Sequence, residues 1–451
     1  MHKMLIDQLS FIVTYLRLEK KDMHLVNLLF FLFAFFSCNV LAQYTRFNTS
    51  VIPVTKDAKT SLHKVTWFLK KRTWDGEPYY LVDLDAPFTW QDCVVRRSPI
   101  ACGLEEGCRF PLKCDDNFCK EAHSYINPTC PSLNNITSKY GCNICAVTPS
   151  NPISNSCKLS QLTTDLVQSY GTDGRNPSIV SYPPFGTEFV VSCAPSSLLR
   201  SFPKDVTGVA SFSWSTLSFP RQVYNPKVTN KFVLCLPNSS RSLGAIFLGE
   251  GPFYFISFPN VDLRSILSYT PMVRKSKKSL GYYIGIKKIS IKEISIPLPS
   301  LKSGSVKLSS VTPYTTLRSD IYKAFVTIFS MATKSIPRLK SVQPFSYCLK
   351  SSGVGSVEKG FRVPKIDLET ESGKIWTIYG DNLMKRVGNG TACLALIDGG
   401  SKMKDAIVVG TFQMENNFLY FDLVNQKLGF SSSLLARGTS CSNFNFTEIP
   451  E

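Results

Sequence analysis

The sequence predicts an all-β protein of two lobes with few short helices. Its 451 residues exceed the roughly 150 of a typical domain, so two hydrophobic cores fit into the chain. Short alternating apolar segments recur between turns, which 27 prolines and 26 glycines supply, and no long helical heptad pattern occurs. With 43% hydrophobic and 19% charged residues, the composition is globular and excludes a disordered chain.

The N-terminus is predicted to be a cleavable signal peptide over residues 1–42. A basic pair precedes an apolar run at 28–36, and small residues at 40–42 suit cleavage. The run is shorter than the roughly 20 residues that span a bilayer, so a membrane anchor is the less favoured interpretation. Met23 is an alternative translation start, and residues 1–22 are not made if translation begins there.

Cysteine usage agrees with export. Of 15 cysteines, Cys38 lies in the predicted signal, which leaves an even number in the mature chain. Nine of them crowd between Cys93 and Cys157, while the mature chain keeps only His63 and His123. A zinc site would often combine cysteine with histidine, so disulfides explain this pattern better and no metal or other cofactor is expected.

Five acceptor motifs for N-linked glycans support a secreted glycoprotein. They begin at Asn48, Asn135, Asn238, Asn389 and Asn445.

The chain is strongly basic, with a formal net charge of +18. Without residues 1–42, 47 Lys and Arg stand against 30 Asp and Glu. Such a field attracts acidic partners, for example an acidic wall polysaccharide or a protein with an acidic cleft, although a merely soluble basic surface explains it as well. Nucleic acid is not an expected partner, because the basic runs at 70–72 and 274–278 are short and belong to no recognition motif.

Several elements can be predicted from periodicity. Residues 282–286 and 289–291 alternate like half-buried strands, and 418–430 has the pattern of a β-hairpin. Residues 319–332 are the best helix, with Asp320 near the start and apolar side chains on one face.

A weak internal duplication predicts two similar lobes. Strand-turn segments near 83–90 and 312–317 are each followed by an apolar stretch with glycine, at 207–210 and 407–410. A junction near 269–271 would separate the two copies. The predicted division is a signal at 1–42, an N-terminal lobe at 43–268 with a cysteine-rich insert at 93–157, and a C-terminal lobe at 269–451.

Several segments resemble the pepsin-like aspartic proteases, and more closely their plant non-proteolytic branch. That branch holds the extracellular dermal glycoproteins, the basic seed globulins and the xylanase- and xyloglucanase-inhibitor proteins. The matching segments are 193–199, 232–237, 245–249, 313–315, 342–348 and 429–446. The resemblance implies a bilobal pepsin-like fold and an extracellular location in the apoplast or cell wall.

Aspartic proteases hold the attacking water between two carboxylates that share one proton. The resemblance places Asp83 at the first catalytic position, with Asp85 where the family has glycine. In the second turn it implies that Thr312 replaces the other aspartate and Tyr314 its glycine, so that a tyrosine ring would fill the cleft. Threonine does not titrate near neutral pH, so we expect no catalytic residues and only a structural role for Asp83.

The resemblance instead implies a protein inhibitor of microbial glycoside hydrolases in plant defence. In such inhibitors, C-lobe loops enter the enzyme's cleft, and a basic residue precedes the last cysteine; Arg437 has that place here. A second loop carries an arginine at the position that Glu358 occupies, with Lys359 beside it. Two alternatives stay open: a storage, cell-wall-binding or peptide-binding globulin, and, least favoured, a residual aspartic endopeptidase.

Overall fold

The computed structural model describes residues 49–66, 78–92, 111–134, 141–222, 230–276, 278–298, 306–357, 360–388 and 390–447. The predicted signal peptide and much of the cysteine-rich insert lie outside these ranges. Chain contacts define one compact unit over Asn48–Glu451, to which every described residue belongs. No helix in the described ranges combines the length and apolar character needed to cross a membrane.

The first half of the described chain is mostly strand. Its strands are β1 (Thr49–Lys56), β2 (His63–Val65), β3 (Tyr79–Asp83), β4 (Trp90–Asp92), β5 (Ala146–Val147), β6 (Ser160–Thr172), β7 (Pro177–Ala194), β8 (Val206–Ser211), β9 (Lys231–Cys235) and β10 (Gly244–Gly249). Its two short helices are α1 (Asn117–His123) and α2 (Phe219–Gln222).

The second half contains eighteen further strands and three helices among the described residues. The strands are β11 (Ser268–Val273), β12 (Tyr283–Ile284), β13 (Ile286–Ile291), β14 (Ile294–Ser295), β15 (Val306–Leu308), β16 (Thr315–Leu317), β17 (Arg338–Leu339), β18 (Cys348–Lys350), β19 (Ser356–Val357), β20 (Gly360–Phe361), β21 (Ile366–Thr370), β22 (Ile375–Ile378), β23 (Met384–Arg386), β24 (Thr391–Leu394), β25 (Leu396–Asp398), β26 (Ile407–Val409), β27 (Phe418–Asp422) and β28 (Lys427–Phe430). The helices are α3 (Ser319–Ala332), α4 (Ser351–Val354) and α5 (Thr411–Met414).

The internal duplication is visible in the strand pairing. In the first half, β8 lies between β3, which runs parallel to it, and β4, which runs antiparallel. In the second half, β26 lies in the same way between parallel β15 and antiparallel β16. Both copies place a turn between the two outer strands, and the sequence prediction of an all-β fold with few short helices is confirmed.

A shared sheet joins the two halves. Strand β27, near the C-terminus, pairs with β9 of the first half, and β28 pairs with β11. The disulfide Cys235–Cys441 links β9 covalently to the C-terminal segment. The predicted division at residue 269 falls within β11, so residues on both sides of it contribute to one continuous sheet.

The predicted helix and hairpin form as their patterns indicate. Helix α3 buries its apolar face, including Ile321, Phe325 and Phe329, against the second-half core. Strands β27 and β28 form the hairpin, and Gln426 adopts a positive φ of 51° in its turn. Because the strands are hydrophobic on nearly every residue, they can be buried on both faces within the shared sheet.

Cysteines of the described chain form disulfides, as predicted. They are Cys114–Cys142, Cys119–Cys145, Cys130–Cys157, Cys235–Cys441 and Cys348–Cys393, and Cys193 is disulfide-bonded too. His123 lies 3.7 Å from the Cys119 sulfur, a combination that resembles a metal-ligand set. Both sulfurs of that set are consumed by the disulfide, and His123 Nε2 lies 2.8 Å from the Ala146 carbonyl.

Candidate functional site

The candidate site is built around the turn that follows β3. Asp83, the last residue of β3, is only 4% exposed, and its carboxylate accepts a hydrogen bond from the Asp85 N–H at 2.8 Å. Ser310 ties this turn to the second half of the molecule. Its hydroxyl accepts from the Leu84 N–H at 3.0 Å and donates to the Val82 carbonyl at 2.7 Å.

The strand registers identify the counterpart of Asp83 in the second half. Each central strand has residues with a partner on both sides. Val209 lies between Leu81 and Trp90, and Val408 lies in the same way between Lys307 and Thr316. In both copies the two flanking residues are nine positions apart. Asp83 is two positions after its flanking residue, and the equivalent position in the second copy is Ser309.

The sequence-based placement of Thr312 at the second catalytic position is therefore wrong by three residues. The register aligns Thr312 with Ala86, and its hydroxyl lies 2.9 Å from the Ser309 hydroxyl. The same shift moves Tyr314 away from the glycine position, where Val311 stands instead.

The sequence predicts that the Tyr314 ring fills the space beside Asp83, but the ring lies elsewhere. It packs edge-on against Phe345 at a centroid distance of 4.7 Å and lies 5.8 Å from Phe412. A repeated triplet, Pro-aromatic-Thr at 87–89 and 313–315, is the signal that could have given the correct alignment from sequence.

The Asp83 carboxyl is electrostatically unusual. Burial, reinforced by the nearby Asp85 carboxylate, raises the pKa of Asp83 to about 7. Asp85 itself is paired with Lys307, which extends from β15. In mildly acidic surroundings Asp83 is therefore a neutral, hydrogen-bonded acid inside its turn.

This raised pKa predicts how stability depends on pH. A carboxyl whose pKa is higher in the folded than in the unfolded state stabilises the fold most below its unfolded pKa of 3.8, and this contribution is lost as pH rises through about 7. Asp83 should make the free energy of unfolding larger at pH 5 than at pH 8. We expect the Asp83→Asn variant to lose at least ~1 kcal/mol of this difference, because each pKa unit is worth about 1.4 kcal/mol. Urea unfolding of both proteins at the two pH values measures this. An equal change in stability between pH 5 and pH 8 in the wild type and the variant would contradict it.

Arg437 lies in a loop held rigidly from both ends. It ends a short 3-10 helix, Leu434–Arg437, which is followed by Gly438 in the left-handed conformation with φ 79°. The Leu434 N–H donates to the Asn416 carbonyl at 2.7 Å, and the Thr439 N–H donates back to the Leu434 carbonyl at 3.1 Å. The Arg437 side chain is exposed and pairs with no carboxylate of the described residues, so a cation is presented on a fixed backbone.

The second predicted loop is described only at its base. Glu358 and Lys359 lie outside the described residues, while β19 and β20 on either side pair through Val357 and Gly360. Gly360 has a φ of 86°, and a side chain there would collide with Asp381. The base of this hairpin is therefore fixed by a close backbone approach that requires glycine.

Two of the five predicted glycan acceptors fall within the described residues. Asn238 is exposed at the end of β9, in a turn before β10. Asn445 is partly buried and donates its amide N–H to Asn176 at 2.8 Å. Asn48, Asn135 and Asn389 lie outside the described residues. Exposure favours Asn238 as an acceptor.

Sequence reasoning missed a buried charged cluster between β1, β2 and the end of α5. Glu415 is 2% exposed, and one of its carboxylate oxygens lies 2.6 Å from the Lys56 ammonium and 3.7 Å from His63 Nε2. Burial lowers the pKa of His63 to about 3, so the ring is neutral and its Nε2–H donates to the Pro237 carbonyl at 3.0 Å. The members of this cluster are distant in sequence, and no motif indicates them.

Comparisons with known proteins agree with this architecture. The family models described as xylanase inhibitor N-terminal and xylanase inhibitor C-terminal match residues 71–250 and 281–432. Chitinase CLP of Oryza sativa subsp. japonica is 36% identical over 410 residues, covering 88% of this chain and 91% of that protein. Gamma conglutin 1 of Prunus dulcis is 35% identical over 407 residues, covering 88% and 90%.

A similar solved structure is the crystal structure of edgp. It superposes with a TM-score of 0.76 at 32% identity and covers 89% of this chain and 99% of that one. The branch resemblance predicted from the sequence segments is confirmed by these matches.

Proposed function

The chain belongs to the xylanase-inhibitor family, and from this premise we propose that it is a secreted, non-proteolytic inhibitor of glycoside hydrolases. The target class is a microbial xyloglucanase, xylanase or glucanase with an acidic cleft, and the site of action is the apoplast or cell wall. Arg437 carries the proposal, because a rigidly held, exposed cation suits a cleft that works with paired carboxylates.

The absence of proteolysis is supported by the unequal pair of turns. Asp83 is a buried carboxyl, whereas the register-equivalent position holds Ser309, whose hydroxyl cannot share a proton with it as a second carboxyl would. The glycine positions of a protease turn hold Asp85 and Val311, and Asp85 is engaged by Lys307. A water could not be activated there by the two-carboxylate mechanism.

The proposal is tested by inhibition and proteolysis assays on the purified secreted protein. We expect stoichiometric inhibition of at least one enzyme in a panel of microbial xyloglucanases, xylanases and glucanases. We expect no cleavage of a denatured protein at acidic pH, with pepsin as the positive control. No inhibition by folded protein would favour the storage or wall-binding role instead. Cleavage that a transition-state analogue of aspartic proteases blocks would overturn the non-proteolytic assignment.

A further inference from the structure

A polar cavity opens beside the turn that carries Asp85. Its volume is about 570 Å³, within the range of about 300–1,000 Å³ that small-molecule and oligosaccharide-sized ligands occupy. One wall comes from the end of α1 and the residues after it, and another from residues 275–276, 278–280, 283 and 404–405. Its described lining includes neither Arg437 nor a residue of β19 or β20.

The charges around the cavity are unbalanced. Among the described residues that line it, four lysines stand against the two carboxylates of Asp85 and Asp405. Lys307 pairs with Asp85, and Lys275 pairs with Asp405 at 2.5 Å while lying 4.1 Å above the Tyr283 ring. These pairs consume both carboxylates. The remaining two cations, Lys278 and Lys404, are exposed and pair with no carboxylate within the described part of the chain.

The rest of the lining is partly apolar, with Phe88, Ile126 and Leu280 among its side chains, and partly made of hydroxyl and amide groups. The hydroxyl and amide groups come from Tyr125, Asn127, Thr148, Ser276 and Ser279. Such groups hydrogen-bond sugar hydroxyls, and a lysine ammonium gives charge-assisted hydrogen bonds to a carboxylate.

The strands at this cavity do not favour a peptide ligand. A peptide that binds by strand addition needs a free strand edge. Tyr283 lies in β12, which is paired with β11 on one side and β15 on the other. Lys307 lies in β15, which is paired with β12 and β26. Recognition at these strands must therefore come from side chains.

We propose that this cavity binds a carboxylate-bearing oligosaccharide, of the uronic-acid class, through Lys278 and Lys404. Two ligand carboxylates, or one shared between the lysines, neutralise the two positive charges that Asp85 and Asp405 do not pair with. The sugar hydroxyls face the hydroxyl and amide lining. This binding is separate from hydrolase inhibition and does not depend on it.

The test is calorimetric titration with short oligogalacturonates at low ionic strength. We expect binding to weaken by roughly tenfold or more in the Lys278→Gln/Lys404→Gln variant, because charge-assisted hydrogen bonds are worth at least the ~1.4 kcal/mol that corresponds to tenfold. The matched control is Lys334→Gln/Lys340→Gln, which removes the same charge from exposed lysines outside the cavity. Thermal unfolding of both variants excludes misfolding as the cause.

Three results would overturn the proposal. They are an equal loss of affinity in both variants, equal binding of a neutral oligosaccharide of the same length, and tighter binding of an acidic peptide with the same dependence on the two lysines. Inhibition by the Lys278→Gln/Lys404→Gln variant is measured in parallel. If oligogalacturonate binding is absent while inhibition persists, only the cavity proposal fails.

Discussion

An Arg437→Ala variant should inhibit the target hydrolase at least about 30-fold more weakly than the wild-type protein. Removing one partner of a desolvated charge pair at an interface costs about 2 kcal/mol or more, since the other charge stays buried without a partner. The loop that carries Arg437 is anchored through the buried Leu434 and the nearby Cys441 disulfide. The substitution therefore changes the presented charge and leaves the backbone in place. Inhibition constants of both proteins measure the effect.

Two further variants separate charge from geometry. Arg200→Ala removes another exposed arginine, in the first half of the chain, and should leave inhibition unchanged. Arg437→Lys keeps the charge but lacks the planar fork that binds a carboxylate at two points, so we expect an intermediate inhibition constant. Equal inhibition by Arg437→Ala and the wild type would place the contact elsewhere, with the Glu358 loop as the next region to test.

The elements that periodicity defines strongly could be predicted from the sequence. Helix α3 and the hairpin of β27 and β28 have long apolar patterns with clear turn signals, and both form where predicted. The second turn was misplaced because Thr312 and Ser309 both fall in a short polar segment without periodicity. The one local signal of the correct alignment is the repeated Pro-aromatic-Thr triplet at 87–89 and 313–315. The pairing of β26 with β15 and β16 establishes that alignment, because long-range strand register does not follow from hydrophobic periodicity alone.

The proposed functional surfaces show the same limit. Arg437 could be proposed from its position before the last cysteine, because the resemblance to the inhibitor branch implies a basic residue there. Lys278 and Lys404 lie in unrelated segments that the fold brings to one cavity, so composition revealed only that the chain is basic. The buried contact of Lys56 with Glu415 was equally invisible, since a lysine in an alternating strand is normally predicted to face solvent.

That buried pair gives the largest stability effect that we expect. Lys56→Met should destabilise the protein by about 3–5 kcal/mol, because removing one partner leaves an uncompensated buried charge. Beside Glu415 lie the neutral His63 ring and Lys385, whose attraction for the carboxylate is weaker than that of Lys56. No cation of the described residues forms an ion pair with Glu415 as close as the one with the Lys56 ammonium. The matched control is Lys287→Met, which breaks an exposed pair with Glu369 and should cost no more than about 1 kcal/mol. Denaturant unfolding measures both.

The pH dependence shows whether charge is the cause. Burial already raises the pKa of Glu415 to about 7, while Lys56 opposes that rise. Without the ammonium the carboxyl can still fold in its neutral form at pH 5, whereas at pH 8 folding must retain a proton or bury a lone charge. Lys56→Met should therefore be more destabilising at pH 8 than at pH 5, and a further Glu415→Gln change should recover most of the loss at pH 8. An equal loss at both pH values, with no recovery, would mean that Lys56 acts through the packing of its aliphatic chain.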